Sequence, residues 1–146
     1  MAPAKPNLHA TAVVIGDKGV VITGASGSGK TTLAMALMAF AHSNGRFARL
    51  VSDDQILLHA RNGRLIAESP HQIRGMIEVY GLGPRPCQAH PEAVVDLVVN
   101  LRERTHAPRF PEHATTTLAG IDVASLTLEH RNAQGAILAV LTALRS

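Results

Sequence analysis

The sequence predicts an α/β domain, a mixed β-sheet with flanking helices, and three observations carry that prediction. Aliphatic and β-branched runs of strand length alternate with two stretches of helix formers, at residues 31–41 and 133–144. A glycine-rich segment, Gly24-Ala25-Ser26-Gly27-Ser28-Gly29-Lys30-Thr31, joins a strand directly to the first of these helices. The 146 residues fall within the size of one domain and contain no internal repeat, low-complexity tract or linker. A chain of that length buries roughly 70% of the surface its unfolded form exposes. With 46% hydrophobic residues but only three Phe, one Tyr and no Trp, its core is expected to be aliphatic.

Residues 1–8 carry two prolines and no periodicity and read as a disordered lead-in, so the domain is expected to span 9–146. Residues 11–15 and 20–23 are strands separated by the turn Gly16-Asp17-Lys18-Gly19, which predicts an antiparallel hairpin. In the helix at 31–41, Leu33, Leu37 and Phe40 recur at spacings of three and four, and Asn44-Gly45 stops it. Leu50-Val51-Ser52 is a short strand leading into Asp53-Asp54. A second hairpin, 56–59 with 65–67, is expected around Asn62-Gly63. Residues 94–101 form an apolar, mostly β-branched run that reads as a central strand. Strands at 115–118 and 123–128 flank Gly120-Ile121-Asp122, and the helix at 133–144 closes the chain.

The net charge of +3 raises nucleic acid as a partner, but the arginines and lysines are scattered, and no aromatic platform for bases accompanies them. Isolated arginines suit a phosphorylated or acidic partner better, so no nucleic acid is expected. Cys87 is the only cysteine, which excludes an intramolecular disulfide and a paired thiol site. The N-terminus lacks the apolar stretch of a signal peptide, and no apolar run approaches the ~18 residues needed to cross a bilayer. A soluble protein of the reducing cytoplasm, without a membrane partner, is the expectation.

Residues 24–31 fit the phosphate-binding pattern of two glycines followed by Lys and Thr, whose chance occurrence in such a chain is on the order of one in a hundred. The flanking strand and helix are the context this P-loop needs. Glycines let the backbone approach a phosphate, and the loop N–H groups converge where the positive end of the helix dipole points. Lys30 is then placed to reach the β- and γ-phosphates of ATP, and the Thr31 hydroxyl to meet Mg2+. Phosphoryl transfer also needs an acidic group at the end of a neighbouring strand, and Asp53-Asp54 supplies it. Two adjacent carboxylates can divide the work, one facing the metal and the other the attacking hydroxyl.

The order of these motifs resembles the catalytic domain of HPr kinase/phosphorylase. In that family a His opens the strand fifteen residues before the first P-loop glycine, as His9 does here. The strand Val20-Val21-Ile22-Thr23-Gly24, the motif Leu50-Val51-Ser52-Asp53-Asp54 and the signature His71-Gln72-Ile73-Arg74-Gly75 follow in the family's order. Arg109-Phe110 resembles a basic residue in an Arg-Leu-Gly context, and Arg131-Asn132 resembles an Arg-Asn before the last helix. The likeness covers about residues 8–142.

The resemblance implies a fold of the HPr kinase C-terminal and PEP carboxykinase-like kind. It implies an enzyme that phosphorylates a serine of the carrier protein HPr with ATP and Mg2+ and removes that phosphate by phosphorolysis, with inorganic phosphate or pyrophosphate as further ligands. Carried over by position, Asp53 is the base, His9 the neighbour that tunes it, and Lys30 and residues 24–31 the phosphate cradle. Arg74 and Arg109 stabilise the transferring charge, and Thr31, Asp54 and Gln72 form the metal set. Arg131 receives no role, because the segment before it is shorter than in the family. The resemblance also implies a homohexamer.

Two departures stand out. Gln72 occupies a position where the family has a metal-binding Glu, so a charge is lost that Glu68 or Glu78 could restore. Against the long family form, whose N-terminal domain and helical tail would not fit in 146 residues, the expectation is a chain that resembles the short, kinase-domain-only variety. Two other functions remain open on the residues alone. A small-molecule P-loop kinase would need an arginine-rich lid, and a nucleotide-dependent switch would have no use for His9 beside a carboxylate.

Overall fold

The computed structural model describes residues 6–103 and 114–145. Its main sheet has nine strands, and seven of them lie in the order β1 (Asn7–Leu8), β5 (Ile56–Arg61), β6 (Arg64–Glu68), β9 (Glu92–Arg102), β3 (Lys18–Thr23), β2 (Ala10–Ile15) and β4 (Ala48–Ser52). The eleven residues of β9 make it the hub. Its start pairs antiparallel with β6, its middle runs parallel to β3, and its end runs parallel to β11 (Ile121–Glu129), which pairs in turn with β10 (Ala114–Leu118).

Central position explains the unbroken apolar run in β3: alternate residues serve two different cores. Val20 and Ile22, with Leu97 and Val99, face the helices α1 (Lys30–Ser43) and α2 (Ala133–Leu144). Val21, Val51 and Val98 face the other way, against Ile56, Leu58 and Leu65 of the β5–β6 hairpin. The turn of that hairpin, Asn62-Gly63, has positive φ at both residues, the conformation its sequence favours.

Strand directions then place the site. Because β2 is antiparallel to both β3 and β4, β4 runs parallel to β3. The carboxyl ends of β3, β4, β9 and β11 therefore lie at one edge of the sheet, where ligands of such sheets bind. Ala10 pairs with Thr23 at that same edge, so His9, just before β2, arrives there too.

Three features depart from the sequence expectation. Asn7 and Leu8 are not lead-in: they form β1 and pair with Leu57 and Ile56. Leu33 and Leu37 seat α1 in the core, but Phe40 is 42% exposed, because the helix packs along a narrower stripe than the spacing suggested. A separate two-stranded hairpin, β7 (Met76–Val79) with β8 (Gly83–Pro86), follows a one-turn 3-10 helix at His71–Ile73. Its prolines and glycines dilute the alternation by which a strand is recognised. Among the described residues no helix is long and apolar enough to cross a membrane.

Candidate active site

The phosphate cradle is built by a backbone that only glycine adopts easily. Gly29, immediately before α1, sits at φ 97, and a Cβ there would lie 3.5 Å from the backbone nitrogen of Arg131. No side chain caps α1, so its first-turn N–H groups point along the positive end of the helix dipole into the cleft. Lys30 is nearly buried, and its Nζ donates to the carbonyl oxygens of Gly24 at 3.0 Å and Ala25 at 3.2 Å. The ammonium is thereby held inside the loop.

The two neighbouring carboxylates occupy opposite environments. Asp53 is 6% exposed, and its Oδ1 accepts from the hydroxyls of Thr31 at 2.7 Å and Thr11 at 3.0 Å, while Oδ2 accepts from the Glu78 N–H at 2.8 Å. Asp54 has φ 68, and its N–H donates to Thr11 Oγ1 at 3.3 Å. A non-glycine residue in this left-handed region stores strain, a common feature of functional sites. That twist turns the Asp54 carboxylate outward to His9, whose Nε2 lies 2.8 Å from Oδ1, with the two side chains 53% and 61% exposed. The sequence reading set His9 beside Asp53; the structure sets it beside Asp54.

A cleft of ≈ 750 Å³ runs from the P-loop to the tip of the β7–β8 hairpin and the start of α2. Its polar lining includes Lys30, Thr31, Asp54, Glu78, Glu129 and Arg131. Arg131 clasps the cradle from the outside: its backbone N–H donates to the Ser28 carbonyl at 3.0 Å and its Nε to the Gly27 carbonyl at 2.9 Å. Asn132 then caps α2 by accepting from the Gly135 N–H. Below the loop, Thr23 Oγ1 donates to Asn100 Oδ1 at 2.5 Å and locks the end of β3 to β9.

The other expected residues fare differently. Arg74 is tied to Ser69, through Nε to the hydroxyl at 2.9 Å and through a terminal nitrogen to the carbonyl at 3.2 Å, and it does not line the cleft. Gln72 sits exposed on the 3-10 turn, also off the cleft. Of the two acids that could restore its charge, Glu78 lines the cleft. Glu68 lies instead beside His59 and Glu92, where Arg61 donates to both oxygens of Glu92. Arg109 lies outside the described residues. Burial pushes the Cys87 thiol above its ordinary value, and the nearby Asp53 charge adds to the effect.

Sequence reasoning left out Thr11, which carried a signal, a hydroxyl in an otherwise apolar strand. It named Arg131 without giving it a role, and Glu78 only as one of two acids that could restore the charge missing at Gln72; the structure brings both into the cleft.

Residues 1–141 match the HPr Serine kinase C-terminal domain. The chain belongs to that family. Over 83 residues, 57% of its length, it is 40% identical to an HPr kinase/phosphorylase of Clostridium tetani and equally to one of Clostridium beijerinckii. It is 36% identical over 84 residues to the same-named protein of Limosilactobacillus reuteri. The matched stretch spans about a quarter of the length of these relatives. The structure of the Hpr(Ser) kinase/phosphatase from Coxiella burnetii superposes with a TM-score of 0.80 at 28% identity, covering 97% of this chain and 95% of that one. The mixed α/β fold expected from the sequence is therefore the fold of this family member.

Proposed function

We propose that this chain is an ATP-dependent serine kinase for the phosphocarrier HPr that also returns the phosphate by phosphorolysis. Membership in the HPr kinase family supports the substrate, and the division of labour between the two aspartates carries the chemistry. Asp53, its oxygens engaged by Thr11, Thr31 and Glu78, acts as a positioning residue. By accepting the Thr31 proton it leaves the lone pairs of that hydroxyl free for a cation. Asp54 is open to the cleft and takes over the role of base that the sequence reading gave to Asp53.

The transfer then follows. A seryl hydroxyl entering the cleft gives its proton to the Asp54 carboxylate as its oxygen bonds to the γ-phosphorus, and the bond to ADP breaks. His9 holds the carboxylate in place and shares the proton. Lys30, the P-loop N–H groups and Arg131 face the charge that moves to the leaving oxygens. In the reverse direction, inorganic phosphate displaces the seryl oxygen, which recovers its proton from Asp54, and pyrophosphate leaves.

The hard oxygen donors Thr31 and Glu78 in one cleft fit Mg2+, with Glu78 taking the place given to Gln72 and Asp54 released from the metal set to act as base. When bound, the ion neutralises charge on the transferring phosphoryl group. Arg74 and Arg109 carry no assigned step. The reading brings with it one P-loop unit that takes in Asn7 and Leu8 and runs to residue 146, a cytoplasmic setting where ATP and HPr meet, and a homohexameric assembly.

The test is incubation of the chain with purified HPr, Mg2+ and γ-labelled ATP, followed by added phosphate. Label on a serine of HPr that phosphate then removes is the expected result. Absence of label would refute the kinase, and label resistant to phosphate would confine the enzyme to the forward reaction.

A further inference from the structure

We infer that Tyr80, at the tip of the β7–β8 hairpin, is the platform on which the nucleobase stacks. The inference deepens the nucleotide reading above and rests on it. Tyr80 is 99% exposed, yet it lines the cleft, and it is the only aromatic residue among the described residues that does so. An aromatic ring so fully hydrated gains most from a flat partner. Leu82, two residues on and also exposed, does not line the cleft, so the tip offers the ligand one aromatic ring rather than a general apolar patch.

The same cleft presents Lys30 and Thr31 of the cradle together with Tyr80 and the apolar Leu33, Val79, Leu101, Ala133 and Ala136, so one ligand meets phosphate-binding and apolar surface at once. The volume of ≈ 750 Å³ lies within the ~300–1,000 Å³ of pockets that take such ligands. The hairpin is set in register with the chemistry, because the Glu78 N–H, two residues before Tyr80, donates to Asp53. Its three-residue loop is closed by the Leu82 N–H on the Val79 carbonyl at 2.9 Å. Stacking reads the π-face common to all bases, so Tyr80 confers preference for a nucleotide over a bare polyphosphate and little discrimination among bases.

The composition makes this directly observable: the chain has one Tyr and no Trp, so its intrinsic emission reports on Tyr80 alone. The unaltered chain with Mg2+ is titrated with ATP and, separately, with tripolyphosphate, following emission and calorimetric Kd. ATP is expected to quench the emission and tripolyphosphate to leave it unchanged. Tyr80→Ala should weaken ATP about tenfold without altering the tripolyphosphate Kd, and Tyr80→Phe should restore ATP affinity. Equal quenching by both ligands, or equal Kd changes in Tyr80→Ala, would overturn the inference while leaving the P-loop reading standing. Binding of neither ligand would overturn both. A change in emission on adding HPr, with none on adding ATP, would make the tip a protein contact instead.

Discussion

The P-loop wall of the cleft stands on the parallel ends of β3, β9 and β11, with Ile22 and Val99 wholly buried beneath it and the Thr23–Asn100 and Arg131–Gly27 bonds tying it down. The facing wall is a hairpin of two four-residue strands, a sheet of its own, whose tip carries Tyr80 and Leu82 in solvent. One wall must hold phosphates with its backbone, and a backbone is positioned only by dense packing. The other must meet substrates that come and go, which suits an element with few buried contacts and low local stability. Between them, Asp53 belongs to the first wall and Asp54 to the open space.

That contrast is broken most severely at the aspartates. Asp54→Asn should lower phosphoryl transfer by about 10²–10⁴-fold while ATP binding stays within about twofold, as measured by labelled transfer and calorimetry. Asp53→Asn should instead loosen the protein, because the amide nitrogen meets donors where the carboxylate accepted. If Asp53→Asn left stability intact and Asp54→Asn lowered it, the assignment of roles would be reversed.

Next in size is the support under the loop. Ile22→Ala removes a fully buried side chain from the core facing α1 and should cost about 2–5 kcal/mol, read as a shift in the urea midpoint. The smallest effect is expected on the hairpin wall. Gly81 has φ 85 and open space around a Cβ, so Gly81→Ala adds strain without a clash, about 1–2 kcal/mol confined to the tip. Faster amide exchange across residues 76–86 with an unchanged global midpoint is the expected signature; a fall in the midpoint would show that the hairpin is part of the main cooperative unit.

Most strands and both helices were legible in the sequence, since each is announced by its own periodicity and turn residues. The helix read at 133–144 spans Ala133–Leu144 in the structure, and the Asn62-Gly63 hairpin forms where its turn chemistry places it. The hairpin at 76–86 was not legible, because Pro84, Pro86 and its glycines erase the alternation, and its pairing depends on what it packs beside. The candidate site divided along the same line. Lys30 and Thr31 could be read because a P-loop is a local backbone device. Arg74 and Gln72 were read from a local signature, yet the structure sets them outside the cleft.

The sequence by itself determined the phosphate cradle, the acidic pair at the end of β4 and the His that precedes β2, because each is written in a few consecutive residues. Only the tertiary structure decided which aspartate meets that His, that Thr11 reaches Asp53 from 42 residues away, and that Arg131 reaches Gly27 from 104 residues away. The physical reason is the sheet. Strand direction and the twisted backbone at Asp54 fix which side chains share the cleft, and neither is written in the spacing of a motif.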